Sequence, residues 1–312
     1  MKFKTGVNRS AAISLAIVIF LISPLLRFNA SAEAETTLTL SSGIRVDNLD
    51  WNIAGNIYGT NPNVLSELTW DDLLILQLKA DGKLVVADRL YLRGYVDYGW
   101  IFDGENQDSD YAGDDRTREW SRSNNDTNDD NVLDASLGVG YQFGPVWKIL
   151  KITPLAGYSY HEQNLVITNG HQTIPPLGPF SGLDSTYDTE WKGPWAGVDL
   201  GFLFEKKLAV TGSFEYHWVD YYAAADWNLR TDFQHPKSFE HDADGEGVLV
   251  SADLDLFLSE QVSLSAMITY QNFWTDDGTA QTFYASGRTS KTRLNEVNWE
   301  SFAGMIGIAF IF

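Results

Sequence analysis

Apolar side chains recur at every second position in many segments of the chain, and this alternation restricts the possible folds most. Between residues 90 and 100 the even positions are Leu, Leu, Gly, Val, Tyr and Trp, whereas the odd positions include Arg93 and Asp97. The same pattern surrounds Asp199 and Asp253. A period of two predicts β-strands with two chemically different faces.

Ten strands of this kind are predicted, and the links between them differ in length. The strands span roughly 36–52, 66–86, 90–102, 131–143, 149–164, 188–204, 208–222, 247–258, 262–274 and 296–312. The links after the second, fourth, sixth and eighth strands are short, and the other five are long. An even number of strands can close without a free edge, and short turns on one rim with long loops on the other are typical of outer-membrane barrels. The predicted fold class is therefore all-β, a ten-stranded antiparallel transmembrane β-barrel with both termini on the short-turn side.

Both ends of the chain favour this interpretation. Residues 1–34 begin with Lys2, Lys4 and Arg9, continue with an uncharged apolar run and end in small residues, as a cleaved secretory signal does. The last strand ends in Phe312, which resembles the assembly signal of bacterial outer-membrane barrels. We predict a signal peptide, 1–34, and an outer-membrane barrel domain, 35–312. The alternative is a soluble periplasmic barrel or sandwich, whose apolar face would point inward.

The charge balance restricts the partners of the chain. There are 22 Lys and Arg against 42 Asp and Glu, which gives a net charge of −20 and disfavours nucleic acid as a partner. The absence of cysteine excludes disulfides and thiolate metal sites. The stretch 103–131 is predicted to be an acidic loop, with ten Asp or Glu and three Arg. We therefore expect an acidic extracellular mouth and cationic ligands.

Polar side chains on the inner faces of the strands are expected to fill the lumen. They are Arg93, Asp97, Asp199, Glu215, His217 and Asp253. A filled ten-stranded lumen disfavours a wide pore, and a small-solute channel stays an alternative function. Interfacial aromatic girdles are predicted to include Trp147, Trp191, Trp195, Trp218, Tyr221 and Tyr222.

Several short motifs occur in the order in which one known family carries them. They are Ser66-Glu67-Leu68-Thr69-Trp70, Gly99-Trp100, Gln107-Asp108-Ser109-Asp110, Ser121-Arg122 and Trp218-Val219-Asp220. On these motifs the chain resembles the omptins, ten-stranded outer-membrane endopeptidases that cut near basic residues of cationic peptides and need lipopolysaccharide. It is also similar to the Protochlamydia outer-membrane protein group, for which a peptidase role is not implied.

The omptin resemblance implies catalytic residues on two sides of the mouth, and only one side matches. Asp108 and Asp110 match the paired aspartates of the family. Where omptins carry Asp-x-His, with the histidine activating the attacking water, this chain reads Ala225-Asp226-Trp227. A second family histidine, which follows the loop arginine, is replaced by Ser123 after Arg122.

The nearest substitutes for the missing general base lie farther along the same loop. They are His235 with Asp232, and His241 beside Asp242. The five histidines lack the spacing of a zinc motif, so we expect no metal and no cofactor other than lipopolysaccharide.

The predicted function is an outer-membrane protein whose acidic mouth binds cationic peptides or ions and which lacks the complete omptin catalytic set. A missing general base typically reduces a rate by about 10² to 10⁴. The first alternative is an active omptin-type aspartic endopeptidase that uses Asp108 and Asp110, and the second is the small-solute channel. The expected partners are outer-membrane lipid, lipopolysaccharide and cationic peptides.

Overall fold

The structure is a computed structural model that describes residues 34–146, 149–204 and 207–312. Apart from Ala34, the predicted signal peptide lies outside these residues. One antiparallel sheet contains fourteen strands: β1 (Ala34–Ile53), β2 (Ser66–Val86), β3 (Leu90–Gly113), β4 (Thr117–Asp126), β5 (Asn131–Tyr141), β6 (Phe143–Val146), β7 (Leu150–Ile174), β8 (Gly178–Pro179), β9 (Asp184–Phe204), β10 (Leu208–Asp226), β11 (Phe239–Phe257), β12 (Val262–Thr275), β13 (Gly278–Phe283) and β14 (Thr289–Ile311). Within the described ranges, no helix is long and apolar enough to cross a membrane.

The sheet closes on itself as a barrel. Strand β1 pairs with β2 on one side and with β14 on the other, from Thr37 opposite Ile311 to Ile53 opposite Leu294. Strands β4, β5 and β6 follow one another as one interrupted strand, as do β12 and β13, while β8 adds two residues beside β7. Ten strands therefore surround the lumen, and the predicted ten-stranded antiparallel barrel is confirmed.

The two faces of the strands point as the alternation predicts. Leu254 and Phe204 lie on the outside, with 44% and 45% of their surfaces exposed. Asp199 is buried in the lumen, and Asp253 lines the same space. The apolar face is thus the outer one, which is the orientation that a membrane requires and a soluble barrel does not.

The outer surface changes from apolar to acidic partway up the barrel. The outward aromatic residues at this level include Tyr158, Trp218 and Tyr270. Directly above them the outward side chains are acidic, as Glu162 and Asp220 illustrate. We take this change as the upper boundary of the membrane-spanning half, because tyrosine and tryptophan concentrate at the membrane interface.

Three of the predicted girdle residues are not in a girdle. Trp191, Trp195 and Tyr221 are at most 2% exposed, because they occupy odd positions whose side chains point into the barrel. Trp218 lies on the outer surface, Tyr222 is partly exposed there, and Trp147 lies outside the described residues.

Above the membrane, most of the predicted long loops are strands. Strand β3 continues to Gly113 and returns as β4, so the stretch 103–131, predicted as an acidic loop, is largely a β-hairpin. Strands β7, β10 and β11 extend in the same way. At this height the outward side chains are polar and many inward ones are apolar, which reverses the pattern of the membrane-spanning half. The apolar parity that marks the lower strands therefore does not continue into these segments.

The lumen has an apolar upper part and a charged lower part. Trp70, Trp191, Phe273 and Trp299 are fully buried in a hydrophobic core inside the upper barrel. Below them, two arginines organise buried carboxylates in separate networks, which is how such charges are tolerated away from water. The network of Arg45 includes Asp47, Asp134 and His161, and that of Arg93 includes Asp199, Glu215 and Tyr91.

Candidate functional site

The floor of the extracellular mouth is aromatic. Trp70 stacks on Tyr187 with ring centroids 5.1 Å apart, and Tyr187 lies 5.9 Å from Trp51. Phe239 continues the cluster at 5.9 Å from Trp51, and Trp227 contacts Phe239 at 4.7 Å. Side chains from four strands and one loop meet here, so acidic groups above this floor lie on an apolar surface.

Asp108 and Asp110 lie on strand β3 and not at a loop tip, because residues 114–116 form the turn of that hairpin. The register between β2 and β3 shifts next to Leu74, and beyond the shift Asn106 is buried while Glu105 is exposed. The even positions of β3 therefore turn inward. Asp108 consequently faces the mouth, opposite the buried Leu68 of β2.

The two aspartates influence each other's ionisation. Burial and the neighbouring charge of Asp110 raise the pKa of Asp108 to about 7, although Trp227 and Arg230 favour its ionised form. Burial also raises the pKa of Asp110, against the opposing effects of Ser66 and Arg230. Two carboxylates that ionise unequally at one site hold a proton near neutral pH.

The loop 227–238, which we call the β10–β11 loop, faces these aspartates. Arg230 binds Asp232 through two hydrogen bonds of 2.9 Å and lies over the ring of Phe233 at 4.0 Å. The Arg230 N–H donates to the carbonyl of Trp227 at 2.9 Å. Asp232 is therefore the partner of Arg230, and the predicted pairing of Asp232 with His235 is wrong.

His235 has a different carboxylate partner. Its Nδ1 lies 2.5 Å from Oδ1 of Asp226, at the end of strand β10. The hydrogen bond and charge of Asp226 raise the pKa of His235, because both favour the protonated imidazole. A histidine oriented by an aspartate thus exists at this mouth, although the two residues are nine positions apart and do not form an Asp-x-His motif.

Asn228 follows the stretch Ala225-Asp226-Trp227, which replaces the omptin Asp-x-His motif, and it has a structural role. Its Oδ1 accepts hydrogen bonds from the Asp184 N–H and the Ser185 hydroxyl, both at 3.1 Å. Its Nδ2 donates to the carbonyl of Gly182 at 2.7 Å. Asn228 thereby fixes the β10–β11 loop to the segment that precedes β9.

His241 does not reach the mouth, so its predicted role as a base is wrong. It is 1% exposed, and its Nδ1 lies 2.8 Å from the hydroxyl of Tyr187. Burial lowers the pKa of His241 to about 3. Asp242 is exposed on the opposite face, because neighbouring residues of a strand point in opposite directions.

The predicted lumen residues are brought together far below the mouth. Arg93, Asp199 and Glu215 form one ion-paired group, and His217 lies 3.1 Å from Glu215. The remaining two, Asp97 and Asp253, line cavities in the membrane-spanning half. Throughout residues 34–146, 149–204 and 207–312, no group of three or more His, Cys, Asp or Glu has an arrangement that could hold a metal ion.

Sequence reasoning missed Arg230 and the pairing of Asp226 with His235. The stretch Ala225-Asp226-Trp227 was noted only as the replacement of the omptin Asp-x-His motif, so Asp226 had no predicted role, and His235 reaches it through the turn at Trp227–Arg230. The sequence signal for this contact is the turn itself, whose residues 228–230 are Asn-Leu-Arg. A turn predicted there would have indicated that the chain folds back and brings His235 to Asp226.

Comparison with solved structures supports the fold. The outer membrane protease OmpT from Escherichia coli matches with a TM-score of 0.75 and 12% identity, over 91% of this chain and 99% of that chain. The translocator domain of the autotransporter NalP from Neisseria meningitidis matches with a TM-score of 0.38 and 12% identity, over 97% of each chain. OprG from Pseudomonas aeruginosa has a TM-score of 0.36 and 13% identity, over 90% of this chain and 97% of that chain. The two latter TM-scores are too low to carry an argument, and the likeness to OmpT shows the omptin-like fold alone.

Sequence comparison identifies the family. A search of curated proteins finds no match. The family model described as Protochlamydia outer membrane protein matches residues 39–312, which is nearly the whole barrel. The predicted outer-membrane location is therefore confirmed. The chain belongs to the Protochlamydia outer membrane protein family.

Proposed function

We propose that the extracellular mouth binds cationic peptides through Asp108 and Asp110. The observation that carries the proposal is a pair of inward-facing carboxylates above an aromatic floor, where ionisation is costly without a nearby cation. A guanidinium or ammonium group supplies that cation and also donates charge-assisted hydrogen bonds. Trp227, which is partly exposed at the edge of the aromatic floor, adds contact with the apolar part of a lysine or arginine side chain.

Arg230 supports this assignment from within the chain. Its positive charge acts on both aspartates and favours their ionised forms. The mouth thus already accommodates one guanidinium near the pair. Arg230 is the cation that the chain supplies to Asp108 and Asp110. A peptide with several basic residues would bring further cations to the same two aspartates.

Peptide binding to refolded protein in lipopolysaccharide-containing vesicles tests the proposal. An Arg-rich peptide labelled with a fluorophore should bind, and Asp108→Asn with Asp110→Asn should weaken binding at least tenfold. Glu105→Gln is the matched control, because Glu105 is an exposed acid on the same strand but on the opposite face. Equal weakening by the control would mean that only the net charge attracts the peptide.

A second function, proteolysis by an activated water, is favoured by the contact between His235 and Asp226. In this reading His235 accepts a proton from the water, Asp226 orients and stabilises the imidazolium, and Asp108 lies on the facing strand. A histidine held by a carboxylate has the composition that a general base needs. The raised pKa of His235 predicts that cleavage increases with pH as the imidazole loses its proton.

Cleavage of an Arg-rich fluorogenic peptide tests this second function. The wild-type protein should cleave it in the presence of lipopolysaccharide, and His235→Asn should lower the rate by about 10² or more. His171→Asn is the control, because His171 is exposed on another extracellular hairpin. Cleavage that survives His235→Asn would remove His235 as the base, and no cleavage by the wild type leaves binding as the function.

Lipopolysaccharide is proposed as the lipid partner, with divalent cations between the protein and the lipid phosphates. The outward side chains directly above the apolar band are acidic on four strands, namely Glu162, Asp220, Glu246 and Glu300. Carboxylates and phosphates repel each other unless a cation lies between them. Chelation of Mg²⁺ and Ca²⁺ should therefore release labelled lipopolysaccharide from the refolded protein, and retention after chelation would contradict the proposal.

A further inference from the structure

The lower lumen contains a space that the ion-pair networks do not fill. A vestibule of about 380 Å³ begins at the short-turn end, among Lys151, Asp255 and Ile311. It adjoins a deeper cavity of about 40 Å³ that reaches Gln77 and Asp97. Asp199 and Asp253 line both spaces. A volume of this size lies within the range of small-molecule sites in proteins.

The vestibule belongs to the periplasmic side. Both chain ends of the barrel domain lie at its rim, since Thr37 pairs with Ile311 and Ala34 pairs with Val86 at the short turns. Above it, Trp191, Phe273 and Trp299 are fully buried and belong to the hydrophobic core that occupies the upper lumen. A solute that enters from the periplasm therefore meets a closed upper end.

The charges around the vestibule do not balance. Its lining includes five carboxylates, those of Glu35, Asp81, Asp199, Asp253 and Asp255, and two ammonium groups, those of Lys83 and Lys151. Arg93, which lines the adjoining deeper cavity, is already paired with Asp199 and Glu215. Because Asp199 is paired with Arg93 and Glu35 is exposed, three partly buried carboxylates, those of Asp81, Asp253 and Asp255, remain against the two lysines. This excess of negative charge favours a positively charged occupant.

Hydrogen bonding gives a second and independent indication of a ligand. Oδ1 of Asp199 and Oδ1 of Asp97 are buried without a hydrogen-bond partner, and the two residues are 4% and 7% exposed. The amide oxygens of Gln77 and Gln271, which line the deeper cavity, also lack partners. These four acceptors outnumber the unpartnered donor at the same cavity, Nε of Arg93, which lies 3.2 Å from Oδ2 of Asp199. The space therefore requires donors, and a protonated amine offers up to three N–H groups on one atom.

Apolar walls lie between the charged groups of the vestibule. Val85, Phe257 and Met267 contribute aliphatic, aromatic and thioether surface to the same space. A ligand that alternates methylene segments with ammonium groups matches such a lining, whereas a bare metal ion does not.

We propose that the periplasmic vestibule is a binding site for a small linear polyamine. One ammonium group lies near Asp199 at the inner end, a second near Asp253 and Asp255, and the methylene segments between them contact Val85 and Met267. This site is separate from the extracellular mouth. The proposal does not depend on whether the mouth binds peptides.

Methyl NMR of the refolded barrel domain, 35–312, tests the proposal with spermidine as the probe. Met267 and Met305 are the two methionines of this segment, and both line the deeper cavity. With ¹³C-methyl methionine, spermidine should shift the Met267 signal in a saturable way. Asp253→Asn should weaken the apparent affinity at least tenfold, because a charge-assisted hydrogen bond is lost.

Three comparisons keep this test decisive. Glu260→Gln removes an exposed acid from the neighbouring turn and should leave the Met267 titration unchanged. Asp255→Asn provides a second variant at the rim if Asp253→Asn does not refold. No spermidine shift, or an equal shift with Mg²⁺ at the same ionic strength, would overturn the proposal, because the first shows no site and the second shows only charge screening.

Discussion

Asp108 shows how one residue at the mouth reduces the stability of the barrel near neutral pH. Its pKa is raised from the ordinary value of 3.8 to about 7, so the folded state holds a proton that the unfolded state releases. An acid with a raised folded pKa lowers stability as the pH rises from about 4 to 7. Functional sites commonly contain groups shifted in this way.

Asp108→Asn should therefore stabilise the barrel at pH 8 and leave its stability nearly unchanged at pH 4. The gain at pH 8 is on the order of 2–4 kcal/mol, because the variant no longer ionises above the aromatic floor. Denaturant unfolding in lipid vesicles at both pH values measures the difference. A gain of equal size at pH 4 would show that packing, and not ionisation, is responsible.

His241 has the opposite dependence on pH. Its folded pKa of about 3 lies below the ordinary value of 6.5, so its protonation opposes folding as the pH falls through that interval. His241→Gln, which retains a polar group near Tyr187, should reduce the acid-induced loss of stability by an amount on the order of 3 kcal/mol at pH 4. An unchanged slope between pH 6.5 and 4 would mean that His241 does not titrate in this interval.

The acidic part of the candidate site could be predicted from the sequence, and the basic part could not. Asp108 and Asp110 were found because a short motif surrounds them. His235 was found as a residue but assigned to Asp232, since proximity along the chain was the available criterion. The chain reverses its direction between Asp226 and His235, so His235 contacts Asp226. Asp232 forms hydrogen bonds with Arg230 and not with His235.

At the scale of the strand, the identity of the outward side chain depends on height. Leu254 and Asp244 share the outer face of β11, but Leu254 lies in the apolar band and Asp244 lies above it. The sequence predicted the strands well where this face is apolar. It failed above the membrane, where β3, β7, β10 and β11 continue with polar outer positions that resemble loop composition.

A positive charge should consequently have different effects at these two positions. Leu254→Arg should destabilise the barrel by about 2–4 kcal/mol, as a basic side chain does near the middle of the bilayer. Asp244→Arg should change stability by less than about 1 kcal/mol, because its side chain stays in water. The free energy of unfolding of both variants can be measured in lipid vesicles. Equal losses of stability in Leu254→Arg and Asp244→Arg would show that the membrane boundary does not lie between these two positions.

At the scale of the whole molecule, the closed upper lumen decides whether solutes pass. The side chains of Trp191, Phe273 and Trp299 are completely buried by their neighbours. The lower cavities end beneath these three residues. Closure into a ten-stranded barrel was predictable from an even strand count and the alternation. The separation of an apolar half of the lumen from a charged half was not predictable. Trp191 and Trp195 are of a residue type that is common in interfacial girdles, and only their odd positions along the strand place them inside the barrel.

Proteoliposomes that contain the wild-type barrel should therefore not swell in isotonic sugar. Replacing Trp191 and Trp299 by alanine opens space in the upper lumen and should increase the rate of swelling, if the barrel still refolds. The double variant Trp100→Ala and Trp218→Ala is the control, because both residues lie on the outer surface. Rapid swelling of the wild-type vesicles would support the channel alternative.

The buried tryptophan and phenylalanine layer also makes the two ends of the cylinder chemically insulated compartments. Asp108 lies on the extracellular side of this layer, whereas Asp199 and Asp253 lie on the periplasmic side. New extracellular hairpins grafted above this layer should thus leave the periplasmic pocket unaltered, so the protein is a scaffold whose two ends can be engineered independently.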